Sequence, residues 1–206
     1  MRSVPVWAGL LSASCAEGGD PLLQRTFTDR FDRDTIGADF RDTSDGRYRI
    51  EDGALCVEGA RNHPLWLRRR LPDDVRIELT AKSAGPDGDI KVEAFGDGRS
   101  YATADSYTAT SYVLVFGGWR NSVSAIARLD EHGADRRTRR GPPVVPDRAY
   151  RMRIERRGGK ISWRIDGDAF LEMDDPDPLR GRGHDHFAFN DWDAPLCFDD
   201  LVVTPL

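Results

Sequence analysis

The chain has 206 residues, 39% of them hydrophobic and 32% charged, with a formal net charge of −5. That length suits one large β domain, and the composition is that of a globular chain rather than a disordered one. The acidic balance argues against nucleic acid as a partner, because such binding rests on Lys and Arg at phosphates.

Met1 to Ser14, MRSVPVWAGLLSAS, joins one Arg to a short apolar run interrupted by Pro5 and ends in small residues before Cys15. This resembles a bacterial lipoprotein signal, too short to span a bilayer as a mature helix. Residues 1–25 are therefore expected to be signal and tether, with Cys15 as the lipidation site, so that the membrane is reached through the lipid anchor and the protein is exported, to the periplasm or cell surface. The domain proper is expected over 26–206.

From there the chain alternates in short runs bounded by Gly, Pro, Asp and Asn, with almost no helical period. This is the pattern of antiparallel β-structure. Arg47 to Ile50 and Ala54 to Glu58 flank Asp52-Gly53, a strong hairpin signal. Leu65 to Leu71 reads as a strand ending at Pro72. Val75, Ile77, Leu79 and Ala81 alternate with Arg76, Glu78, Thr80 and Lys82, and Ile90, Val92 and Ala94 alternate with Lys91, Glu93 and Phe95. Each such strand is expected to put one face on a core and the other in water. Arg76/Glu78 and Lys91/Glu93 read accordingly as solvated faces with cross-strand ion pairs. Tyr112 to Phe116, Val123 to Asp130, Arg136 to Arg140, Tyr150 to Glu155, Ile161 to Ile165, Ala169 to Met173, Phe187 to Phe189 and Leu196 to Thr204 follow as further strands. About twelve antiparallel strands in one domain predict an all-β, two-sheet jelly-roll sandwich. Beyond Cys15, Cys56 and Cys197 each fall in a predicted strand. In an exported protein they are either bridged or two buried thiols.

An early F-x-x-R-F-D segment (Phe27 to Asp32), the I-E-D-G-A-L-C-V hairpin, then late W-R-I-D-G (Trp163 to Gly167) and F-D-D-L-V-V (Phe198 to Val203) resemble the concanavalin A-like lectin/glucanase superfamily. The layout is most similar to bacterial lipoproteins of its laminin-G-like and 3-keto-disaccharide hydrolase-like branches. The resemblance implies ligands on the concave face or its rim loops. It also implies a structural calcium held by oxygen ligands, for which Asp29 or Asp32 and Asp199 or Asp200 are available.

Several residues suit a sugar site. His184-Asp185-His186, if extended, would point both imidazoles one way, toward a metal or as a general base, with Asp191 or His63 as a third ligand. Asn190 and Trp192, with Asp193, offer an indole face for sugar C–H groups and polar groups for hydroxyls. Trp119 and Asn121, after Gly117-Gly118, could reach the same cleft, as could His63 with Trp66 close by. Tyr101, Tyr107 and Tyr112 lie on a Ser/Thr/Ala-rich segment read either as a loop over the cleft or as ordinary surface. The E-x-D-x-x-E strand of the superfamily's glucanases is absent, which argues against the usual two-carboxylate mechanism. These residues point to a carbohydrate-binding protein. A glycoside-acting enzyme of 3-keto-disaccharide hydrolase or lyase type, with His184 or His186 as base, is the first alternative. A structural surface lipoprotein with its aromatics packed away is the second.

Overall fold

The computed structural model describes residues 19–104 and 107–206. Cys15 and the lipoprotein-like leader lie outside them. The described residues form fifteen strands, β1 (Phe27–Asp29), β2 (Phe40–Asp42), β3 (Arg49–Glu51), β4 (Ala54–Val57), β5 (Leu65–Leu67), β6 (Val75–Ser83), β7 (Ile90–Gly96), β8 (Thr108–Gly117), β9 (Val123–Asp130), β10 (Arg137–Arg139), β11 (Tyr150–Arg157), β12 (Lys160–Ile165), β13 (Asp168–Asp174), β14 (His186–Asn190) and β15 (Leu196–Pro205). They make two antiparallel sheets. One runs β13-β12-β11-β6-β15-β4-β3 with β1 added beside β15; the other runs β10-β9-β8-β7-β14-β5-β2. The all-β sandwich predicted from the alternation is the observed fold. Three-residue strands such as β1 and β2 account for the larger number, being too short to carry a periodic signal.

The two D-G turns form as expected. Asp52 and Gly53 have φ of 50° and 74°, and Asp166 and Gly167 have 53° and 92°. Positive φ at both central residues is the hairpin geometry that matches strand twist, and it joins β3 to β4 and β12 to β13. Cys56 and Cys197 are directly opposed on β4 and β15 and form a disulfide across 141 residues. Of the two states left open by the sequence, the bridge is the one adopted.

The sheets differ on their outer faces. On β6, Val75, Ile77, Leu79 and Ala81 are buried while the residues between them are part-exposed. Arg76 pairs with Glu155 at 2.9 Å and Glu78 with Arg153 at 2.7 Å, the solvated cross-strand pattern expected. β7 departs from that expectation. All seven of its residues are buried, with Lys91 2% and Glu93 0% exposed, because loops close over this part of the second sheet. Phe95 breaks the alternation as well. Its φ is 63° and the pairing of β14 shifts register beside it, so the ring joins the core.

Residues 20–23, assigned to the tether by sequence, pack on the sandwich. Pro21 and Leu23 exchange backbone hydrogen bonds with Arg70, Leu23 is buried, and Asp20 pairs with Arg41 and Arg68.

Candidate binding cleft on the seven-stranded sheet

The loops that cover β7 leave an open cleft of about 760 Å³. Its floor comes from β7 and β9, which flank β8: Asp89 precedes β7, Lys91 lies on it, and Glu131 follows β9. Asn62 reaches in from the loop before β5, and Tyr107 from the segment entering β8. Trp119 and Trp192 line the walls, with His132 and Asp193 nearby.

Each wall is held by local chemistry. Trp119 sits in a turn, Gly118–Asn121, in which Trp119, Arg120 and Asn121 all take left-handed backbone angles (φ 51°, 57° and 59°). Three consecutive non-glycine residues there cost about 1–2 kcal/mol each, so the surroundings must hold the turn in place. Asn121 supplies much of that. Its Nδ2 donates to the carbonyls of Pro86 (3.0 Å) and Val144 (2.7 Å), and its Oδ1 accepts from the Val144 N–H (2.7 Å). Gly88 permits the close fit, since a Cβ there would stand 2.7 Å from the Gly117 carbonyl oxygen. The Arg136 guanidinium lies 4.7 Å over the Trp119 ring, and His132 meets its edge. On the other wall, Trp192 is 39% exposed with Arg61 5.8 Å over it. Its loop is clamped by Asp191, whose carboxylate accepts from the N–H groups of Ala60 (3.0 Å) and Ala194 (2.9 Å).

The floor is one connected polar network. Lys91 Nζ lies 3.0 Å from Glu131 Oε2 and donates to Asn62 Oδ1 at 3.1 Å. Asn190 Nδ2 reaches both Asn62 Oδ1 (3.4 Å) and Glu93 Oε1 (2.6 Å). Glu93 also accepts from Tyr107 Oη (3.0 Å) and Ser111 Oγ (2.5 Å). Burial pushes the Glu93 carboxyl up to about 7 even though Ser111, Tyr107, Lys91 and Asn190 favour its charge. Burial likewise raises Asp191 to about 6, against the two N–H donors that favour its charge. Asp89 is raised by burial despite Lys91. Burial opposes the Lys91 ammonium, but Asp89 and Glu131 outweigh it and keep Lys91 above its ordinary value. Perturbed ionisable groups gathered beneath an open cleft are a functional-site signature.

Of the residues proposed from sequence, Trp119 and Trp192 meet at this cleft and Asn190 lies in its buried network. Asn121 does not line it, because its amide is spent on backbone groups behind the Trp119 turn. His63 neighbours Asn62, but its Nε2 bonds the Ala102 carbonyl (2.8 Å) and its ring meets Tyr101 edge-on. The two C-terminal histidines do not act together. His184 lies in the loop before β14, with Nδ1 at the Thr110 carbonyl, beside a separate open hollow near Arg128 and Arg180. His186 starts β14 and is buried between Asp20 (3.4 Å) and Asp185 (2.8 Å). A turn over residues 181–184, closed by the His184 N–H on the Gly181 carbonyl, takes His184 out of the extended stretch that would have put both rings on one face. Among the described residues no group of three or more His, Cys, Asp or Glu is placed to hold a metal ion. Of the carboxylates considered for calcium, Asp29 is engaged by Arg33, while Asp32 and Asp200 both lie 3.8 Å from Arg30. Trp66 faces away from the core but is fully buried, with its Nε1 donating to the Ser100 carbonyl.

Lys91, Glu93, Asn62 and Glu131 were missed. The K-x-E alternation of β7 looks the same in sequence as the R-x-E of β6, and only the loops packed over β7 separate them.

Fold and cleft together define a two-sheet jelly-roll protein with an aromatic-walled site on one face. A family model described as Farnesoic acid 0-methyl transferase matches residues 89–199, more than half of the chain, and the chain belongs to that family. The matched span starts at Asp89 on the cleft floor and includes Trp119 and Trp192. A search of curated proteins found no match. Among solved structures, a native glycosidic hydrolase aligns over 90% of this chain and 97% of its own with a TM-score of 0.62 at 12% identity. A galectin-like protein of unknown function from Bacillus subtilis aligns over 87% and 94% with a TM-score of 0.62 at 14% identity. A prokaryotic β-1,3-1,4-glucanase (lichenase) from a mouse hindgut metagenome aligns over 88% and 100% with a TM-score of 0.60 at 12% identity. At these identities the likeness is one of fold, and it agrees with the concanavalin A-like resemblance of the sequence.

Proposed function

We propose that this protein binds a glycan in the cleft between Trp119 and Trp192. The observation that carries the reading is the pairing of two partly exposed indoles with a hydrogen-bonding floor of Asn62, Lys91, Tyr107 and Glu131. Indole faces suit sugar C–H surfaces, and a mixed donor and acceptor floor suits hydroxyls. The glycosidic hydrolase and the lichenase among structures of the same fold are consistent with it. The histidine-based enzymatic alternative draws no support from the positions of His184 and His186, which lie away from this cleft.

The test is a glycan array probed with the purified full-length chain and with Trp192→Ala. Trp192 is 39% exposed, so its removal leaves the core intact. The variant should bind about tenfold more weakly or worse, which corresponds to ~1.4 kcal/mol. Farnesoic acid, suggested by the family description, is the competing ligand. Binding of that acid with no glycan bound would replace this reading.

We further propose export and lipid anchoring through Cys15. The Cys56–Cys197 disulfide supports export, since such bridges persist in oxidising compartments. Metabolic labelling with a fatty acid should mark the wild type and not Cys15→Ser; equal labelling of both would remove the anchor from the proposal.

A further inference from the structure

Glu93 is fully buried beneath the cleft, yet hydrogen-bond donors converge on it from three places: Tyr107, Ser111 and Asn190. The register explains how it fits there. Glu93 stands between Val113 on β8 and Ala188 on β14, and the small alanine leaves room beside it. One residue pair along, Lys91 stands opposite Asn190.

An ionised carboxylate only accepts hydrogen bonds, so it fixes the direction of every bond around it. The Tyr107 hydroxyl must give its proton inward, which leaves its oxygen as an acceptor at the cleft. Asn190 must turn Nδ2 toward Glu93, and its Oδ1 then accepts from the Asp191 N–H at 2.7 Å. Asn62 receives Asn190 Nδ2 and Lys91 Nζ on Oδ1, so its own Nδ2 remains a donor for the cleft.

We propose that Glu93 is a positioning residue that sets the hydrogen-bond polarity of the cleft floor. It acts through Tyr107 and through Asn190 and Asn62, so that the site selects a ligand group that donates to Tyr107 and an acceptor oxygen for Asn62. This rests on the reading of the cleft as a glycan site and deepens it. Protonation would make Glu93 a donor and reverse at least one link. Burial pushes its carboxyl up to about 7, so the reversal falls within the neutral range. The titratable groups around it are Tyr107 entering β8, Lys91 on β7, and Tyr48, which senses the Glu93 charge from the core. Beyond Lys91 lie Glu131 after β9, Asp89 before β7 and Asp191 after β14.

The test follows the side-chain amide signals of Asn62 and Asn190 by NMR in the ¹⁵N-labelled full-length chain, between about pH 5.5 and 8.5. In the wild type both should show a component with a midpoint near 7, distinct from the titration of Asp191 at about 6. Glu93→Gln, which cannot ionise at this position, should abolish the component near 7 and leave only that of Asp191. Ser111→Ala keeps the carboxylate but removes a donor that favours its charge, and should move the midpoint upward. Flat signals in the folded wild type would overturn the proposal, as would an unchanged titration in Glu93→Gln. Should Glu93→Gln fail to fold, an unmoved midpoint in Ser111→Ala overturns it. These readouts need no ligand. A glycan array without binders therefore removes the cleft assignment alone, whereas flat amide signals beside normal glycan binding remove the role of Glu93 alone.

Discussion

Replacing Glu93 by Gln should make the protein more stable at alkaline pH and leave its stability nearly unchanged in acid. Its carboxyl rises from an ordinary 4.5 to about 7 on folding because the site is fully buried. The folded state therefore keeps the proton through a range in which the unfolded chain has lost it. Below the unfolded value there is no penalty. As pH rises from there to the folded value, folding stability is lost, and above it the loss is constant. The interval of roughly 2.5, at 1.36 kcal/mol each, makes the loss ~3 kcal/mol. Urea unfolding of wild type and Glu93→Gln at several pH values isolates this effect, because all other groups titrate in both proteins. That includes Asp191, raised to about 6, and Asp175, whose carboxyl is lowered by Tyr112 and Arg128 despite burial. The difference in unfolding free energy should grow in favour of Glu93→Gln by ~3 kcal/mol between about pH 4.5 and 8. A difference constant across that range would show that Glu93 ionises freely in the folded state, and the buried network would have to be redrawn.

Reducing the Cys56–Cys197 bridge releases a loop of 141 residues and should cost about 4–5 kcal/mol in chain entropy, read as a lower urea midpoint in dithiothreitol. Asn121→Ala removes the amide that ties the Trp119 turn to Pro86 and Val144; it should weaken glycan binding and cost about 1–3 kcal/mol, measured by array and by urea unfolding. His186→Ala should leave glycan affinity unchanged while lowering stability, since His186 is buried beside Asp20 and Asp185 away from the cleft. A large loss of affinity in that variant would return the C-terminal histidines to the site.

How much of this was legible in sequence follows from the range of each signal. The sandwich was legible because burial on one strand face and D-G turns at strand ends are local, period-two features. Trp119 and Trp192 were legible as candidates because a tryptophan among Gly, Asn and Asp sits on a loop, and loops at the end of a sandwich are where sites gather. The bridged cysteines were legible only as a choice of two states, since neither residue carries the register that sets it opposite the other.

The floor of the cleft was not legible, and the reason is physical. Alternation tells which residues share a face, but a face becomes solvent or interior according to what is laid over it. Arg76 and Glu78 meet Arg153 and Glu155 on an open sheet and stay solvated. Lys91 and Glu93 carry the same alternation, but the chain returns over them. Ala102 donates its N–H to the Asn62 carbonyl, and Asn62 and Arg61 donate theirs to the carbonyls of Asp191 and Trp192. Three loops distant in sequence thus make one cover, and the charges beneath it must find partners or change protonation. A separate closure sets His186 apart from the cleft. His186 lies at the far end of β14 from Asn190, under Gly98, where an added Cβ would come within 2.7 Å of its ring. That end of the strand is sealed, whereas at the Trp192 end the cover leaves the cleft open above the buried network that holds Asn190.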